Sequence, residues 1–93
     1  MAYFAAEYVY GPAEEQAKHR PAHREYLGSL IEENKLAASG PYTSGKAGAL
    51  LLFVADTEEE VIAMIEKDPM RIGGAVLSYS IREWNPVLGK VGK

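Results

Sequence analysis

His23 and Asp68 are the two residues of this chain whose types and surroundings best suit acid–base chemistry. His23 precedes Tyr26, Leu27 and Leu30 by three, four and seven positions. That spacing puts it in the middle of the apolar face of a helix. Asp68 closes a second helix. A carboxylate beside an imidazole fixes its tautomer, holds the ring and favours its charged form. A helix N-terminus opposes that charge. With His23 expected in the first turn, the two pulls would leave it titrating near neutrality, the range useful for general acid–base work. A structural reading stands beside this one. In it Asp68 caps the turn starting at Pro69 and His23 is a satisfied core histidine.

Further residues gather around this pair. Arg20 stands just before the expected helix and could hold an anionic group bidentately; its plainer reading is an exposed pair with Glu14 or Glu15. Ser39, Gly40 and Pro41 fall in a strand running towards the same end of the domain. A strand glycine marks close approach by a ligand or a backbone, or else a bulge. Tyr10 and Tyr42 end strands at that pole. His19 and His23 have the i, i+4 spacing of a helical metal site. Pro21, however, places His19 ahead of the helix, and no third ligand follows. No metal and no cofactor are therefore expected, and Gly73-Gly74 is too short for a phosphate loop.

The elements that must position these residues read off in order. Residues 3–10 form a strand rich in Tyr, Phe and Val, stopped by Gly11-Pro12. Residues 21–35 form a helix, with Pro21 in its first turn. Strands follow over 36–42 and 47–55, joined by a turn. A helix over 58–68 is capped by Asp56 or Thr57, with acids in its first turn. Pro69 ends it. Residues 70–74, a short connection or a helical turn, lead to a strand over 76–84, and 85–93 form a C-terminal tail expected to extend over a partner. Right-handed crossovers turn the order βαββαβ into an α+β, ferredoxin-like domain with an antiparallel four-stranded sheet. Its two helices run antiparallel. The start of the first and the end of the second thus share a pole, which brings His23 to Asp68.

One domain spans residues 1–93. A chain of this length buries only about 60–65% of its unfolded surface. With no cysteine, disulfides are excluded. The third strand is apolar on both faces, and two helices cover only one face of a sheet. A second copy of the chain is the expected cover, giving a homodimer whose further assembly is open. Glu7 interrupts the first strand and is expected to pair with Arg82. The net charge is −3 and the ten Lys and Arg are scattered, so nucleic acid is not an expected partner. No apolar run can span a bilayer. No basic region followed by an apolar stretch opens the chain, so a cytoplasmic location is the default expectation.

Arg20-Pro21-Ala22-His23 followed by Leu27, then Ser39-Gly40-Pro41, then Asp68-Pro69 resembles the YciI-like (YCII-related) proteins. The resemblance runs from the first strand through the fourth. It implies a ferredoxin-like fold, a dimeric α/β barrel and a His–Asp pair in a cleft, which matches His23 and Asp68. Related enzymes include dehalogenases such as 5-chloromuconolactone dehalogenase, and muconolactone isomerase shares the barrel. An aromatic residue commonly follows the Asp-Pro pair in this family. Here it is Met70, which stacks less predictably on a planar ring. The expected function is general acid–base chemistry of lyase, dehydrohalogenase or isomerase type on a small lactone or carboxylate. The alternative is a dimer that binds a small ligand without converting it.

Overall fold

The computed structural model describes residues 1–91. Seven elements follow one another: β1 (Ala2–Tyr10), α1 (Ala13–Glu32), β2 (Leu36–Pro41), β3 (Gly48–Ala55), α2 (Glu58–Glu66), α3 (Pro69–Ile72) and β4 (Val76–Trp84). The four strands form one antiparallel sheet in the order β2-β3-β1-β4. This is the ferredoxin-like arrangement, with β3 and β1 central. No helix among the described residues is long and apolar enough to cross a membrane.

Alternation along the strands separates two sheet faces. Phe4, Ala6 and Tyr8 of β1 lie opposite Phe53, Leu51 and Ala49 of β3. All six are buried and pack beneath Leu27, Leu30, Val61 and Ile65 of the helices. The other face carries Tyr3, Ala5 and Glu7 against Val54, Leu52 and Leu50. The described residues leave much of this face open, although Leu52 is buried on it. Leu50 is 42% exposed and Trp84 45%. With Ala5, Ala38 and Leu52 they line an apolar groove of about 530 Å³.

Helix α1 departs from the sequence reading. It starts at Ala13 rather than Pro21, so Pro21 lies in its interior. An interior proline removes one ladder hydrogen bond and costs about 3 kcal/mol. The first turns compensate. Glu14 and Glu15 favour the helix N-terminus, and Gln16 donates from its side chain to the Gly11 carbonyl at 2.9 Å. His23 consequently sits near mid-helix, and the opposing pull of a helix N-terminus on its charge is withdrawn. His19 lies inside the helix, one turn ahead of His23, and not before it.

The remaining ends follow local chemistry. Asn34 closes α1 in the left-handed region (φ 60°), with Asn34 N–H bonded to Ile31 O and Lys35 N–H to Leu30 O. That is the 5→2 and 6→1 pattern of a Schellman stop. Thr57, not Asp56, caps α2. Its hydroxyl accepts from the Glu60 N–H while the Glu60 carboxylate accepts from the Thr57 N–H. Residues 70–74, expected as a short connection or a helical turn, contain most of the one-turn helix α3. Glu7 does not pair with Arg82. Arg82 sits opposite Ala5, and the Glu7 carboxylate accepts from the Tyr42 hydroxyl at 3.1 Å. The tail after Trp84 has no regular structure over 85–91, and its last two residues lie outside the described chain.

Candidate active site

Asp68 reaches its place through three local constraints. Its own N–H bonds back to Ile65 O and ends α2. Pro69 then starts α3, and Asp68 becomes the cap of that one-turn helix, accepting from the Met70 N–H at 2.9 Å. Its carboxylate is fully buried. A buried carboxylate must be hydrogen-bonded, and the second partner is His23. The His23 Nδ1 lies 2.8 Å from both Asp68 oxygens. The capping role and the histidine partnership, posed as alternatives on sequence grounds, therefore coexist in one carboxylate.

Arg71 and Tyr79 fasten α3 to the sheet. The Arg71 guanidinium donates to the carbonyls of Val76 and Leu77 and to Glu66. It also lies 5.1 Å over the Tyr79 ring. Tyr79 donates to the same Glu66 carboxylate at 2.7 Å, which holds that carboxyl below the usual range, with Arg71 adding to the effect. On the other side, the Tyr26 hydroxyl donates to Met64 O at 2.7 Å and ties α1 to α2. Both bonding partners of the pair are thereby anchored.

Gly73 and Gly74 each answer a separate demand. Gly74 takes a left-handed conformation (φ 84°) and ends α3 with Gly74 N–H on Arg71 O and Ala75 N–H on Met70 O. Gly73 is glycine for space, because a Cβ there would run into the His19 ring. His19 therefore seats α1 on α3 through the glycine notch, with Glu15 3.6 Å from its Nε2.

With Nδ1 turned to Asp68, the opposite edge of the His23 ring, carrying Nε2, is the side left for the cleft. That cleft holds about 630 Å³. One wall is α1, with Gln16, Arg20, Arg24, Leu27 and Ile31. The facing wall is Ser39, Gly40 and Pro41 of β2, with Tyr10, Tyr42 and Met70 closing the rest. The structure thus brings Arg20, Ser39, Gly40 and Pro41 to the same cleft as His23. Arg20 pairs with neither Glu14 nor Glu15; its guanidinium donates weakly to the Gln16 side-chain Oε1 at 3.4 Å. Gly40 has open space where a Cβ would stand, and the strand irregularity falls between Leu36 and Ala38 instead. Gln16 and Arg24 were not singled out in the sequence. The misplaced helix start hid Gln16, while Arg24 carried a signal in its spacing from Arg20. Among the described residues no three His, Cys, Asp or Glu side chains gather as a metal site.

Three phenols surround the pair. Burial first, then the Asp68 charge, raises the Tyr8 phenol far above its ordinary range. The same two causes raise Tyr10, against which Arg20 acts. Burial and Asp68 also raise Tyr26. All three therefore remain neutral donors at physiological pH. The Tyr8 hydroxyl is buried and has no hydrogen-bond partner among the described residues.

Fold and site together define a ferredoxin-like domain with an imidazole–carboxylate pair in an open cleft. The YCII-related domain matches residues 1–85, and the chain belongs to that family. Among solved structures it is similar to the 5-chloro-2-hydroxyhydroquinone dehydrochlorinase of Burkholderia phenoliruptrix AC1100, solved in complex with 2,5-dihydroxybenzoquinone. Identity is 22% and TM-score 0.77, over 89% of this chain and 93% of that one. The C-terminal domain of the MgtC protein from Mycobacterium tuberculosis is more distant, at 12% identity and TM-score 0.55, over 90% of this chain and 88% of that domain. Both likenesses concern the fold. No curated protein matches the chain.

The His19 seat yields a direct test. Gly73→Ala should destabilise the fold by about 1–3 kcal/mol through overpacking. Adding His19→Ala should recover at least half of that loss in a double-mutant cycle read by urea unfolding. Additive losses would show that His19 is not what the glycine accommodates.

Proposed function

We propose that the protein is a small-molecule enzyme in which His23 acts as general acid–base on a small lactone or carboxylate, oriented by Asp68. The observation that carries this reading is the contact of His23 Nδ1 with both oxygens of a fully buried carboxylate at the edge of an open cleft. A neutral imidazole has one N–H and one lone pair. With the N–H donated to Asp68, Nε2 keeps its lone pair and can accept a proton from a bound molecule. The carboxylate then stabilises the imidazolium that forms.

The reaction class follows from having one such base. Nε2 removes a proton from a carbon next to a carbonyl, and the C–H electron pair forms an enolate. The enolate either expels a leaving group from the neighbouring carbon as an anion, or regains the proton at a different carbon. The first course is a lyase or dehydrohalogenase reaction, the second an isomerisation. A dehydrochlorination, the loss of a proton and chloride, is the activity named for the similar Burkholderia structure. Arg20 supplies a cation for a substrate carboxylate or developing oxyanion, and Ser39, Gly40 and Pro41 form the wall against which the substrate lies.

A second copy of the chain covers the open sheet face in this reading. Leu50, Leu52, Val54, Trp84 and Tyr3 lie there on central or neighbouring strands. A sheet face of that composition is ordinarily covered. Pro41 and Tyr42 border both the apolar groove of this face and the cleft, so a partner seated there would brace the cleft wall.

Two experiments test these statements. In a panel of lactones, halo-lactones and chlorinated hydroxyquinones, His23→Ala should lower kcat/KM by about 10²–10⁴-fold. Asp68→Asn should lower it in the same direction, with circular dichroism confirming the fold of each variant. Equal turnover by parent and both variants would remove the assignment. In sedimentation velocity the parent should run as a dimer and Leu50→Asp as a folded monomer. A monomeric parent at micromolar concentration would contradict the proposed partner.

A further inference from the structure

Arg20 and Arg24 stand one helical turn apart on α1, and both line the cleft. Like charges at i, i+4 on a helix repel. Helices usually relieve such a pair with an acid three or four residues away, and this helix has acids to spare. Yet residues 16, 17, 21, 23, 27 and 28, which hold every i±3 and i±4 position of the two arginines apart from each other, include no Asp or Glu. Among the described residues neither arginine forms an ion pair, whereas Arg71 and Lys35 do.

The cleft repeats this imbalance on a larger scale. The chain has 13 acids against ten Lys and Arg, so an average surface patch is slightly acidic. The cleft lining contains Arg20, Arg24 and His23 and no acid. Asp68 lies behind the imidazole and is already committed to it. A concave site lined by one sign of charge concentrates ions of the other sign. Local repulsion that the fold leaves uncompensated, in a cavity, is the pattern of a site completed by its ligand.

We propose that the cleft takes a small dianion, with one anionic group on Arg20 and the second on Arg24, spanning the His23 edge. This rests on reading the cleft as the substrate site and narrows its substrate to a class. Four residues of α-helix rise about 6 Å. The two anionic groups should therefore stand roughly that far apart, as in a five- or six-carbon dicarboxylate. Leu27 and Ile31, further along the same wall, accept the apolar stretch between or beyond them.

The test compares glutarate with pentanoate, which share chain length and differ in one carboxylate. Calorimetric titration of the parent should give at least tenfold tighter binding of glutarate. Arg24→Gln should erase that ratio while leaving pentanoate affinity within twofold. Arg20→Gln should weaken both. Arg24→Glu places an acid at i+4 from Arg20. It should raise the melting temperature of the free protein and abolish the melting shift caused by glutarate. Raised ionic strength should weaken glutarate more than pentanoate. Equal affinities in the parent, an unchanged ratio in Arg24→Gln, or binding of neither acid would overturn the proposal. His23→Ala keeps the two readings apart. It should lose turnover yet retain the glutarate preference. Retained turnover would fault the acid–base assignment alone, and equal affinities in an otherwise active parent would fault the dianion assignment alone.

Discussion

The structure is organised around a carboxylate that cannot be left alone. Asp68 is withdrawn completely from solvent, where an unpaired charge would cost several kcal/mol. It is kept by two donors, the Met70 N–H at the start of α3 and the Nδ1 of His23 from α1. One donor is backbone from the following turn, and the other arrives from 45 residues away in sequence. The same residue thus ends one element through its backbone N–H, and through its carboxylate begins the next and joins two helices. Replacing either donor leaves a buried acceptor short of a partner, so the pair constrains the fold as much as any chemistry it performs.

The supports around that carboxylate act at different distances. The glycine at position 73 lets α1 approach α3 through the His19 ring. Arg71 binds α3 to the carbonyls of β4 and to Glu66. Tyr26 bridges α1 to the last turn of α2. Each contact is modest by itself, since exposed or half-exposed polar contacts contribute about 1 kcal/mol or less. Together they restrict α1 and α3 to one relative placement, which is what a hydrogen bond of fixed length between their side chains requires. Precision of this kind is what a proton-transferring group needs.

Much of this was legible in the sequence. Alternating apolar residues in β1 and β3, the turn residues between elements and the acids after Thr57 sufficed for the order βαββαβ. Topology then brought His23 and Asp68 to one pole without any local signal linking them. The start of α1 was not legible, because Pro21 has a strong preference for a first turn and Gly11-Pro12 reads as a longer loop. The anchoring of Gln16 and His19 against the rest of the domain outweighs the proline's cost, and nothing local announces it. That error carried a second one, the supposed influence of a helix terminus on His23. The Glu7–Arg82 pair failed for a different reason: strand neighbours were right, but register placed Arg82 opposite Ala5 and Tyr42 closed over Glu7. Register depends on turn geometry and bulges, and the shift between Val9 and Tyr10 is not encoded in any residue type that stands out.

A proton-accepting role for His23 depends on which imidazole nitrogen carries the proton. Nitrogen-15 NMR of the His23 ring above its titration reads this directly. The neutral ring should hold its proton on Nδ1 and show a bare Nε2, and Asp68→Asn should disturb that tautomer. A neutral ring protonated at Nε2, unaffected by Asp68→Asn, would mean that the carboxylate does not orient the base and that Nε2 cannot accept a proton from anything in the cleft.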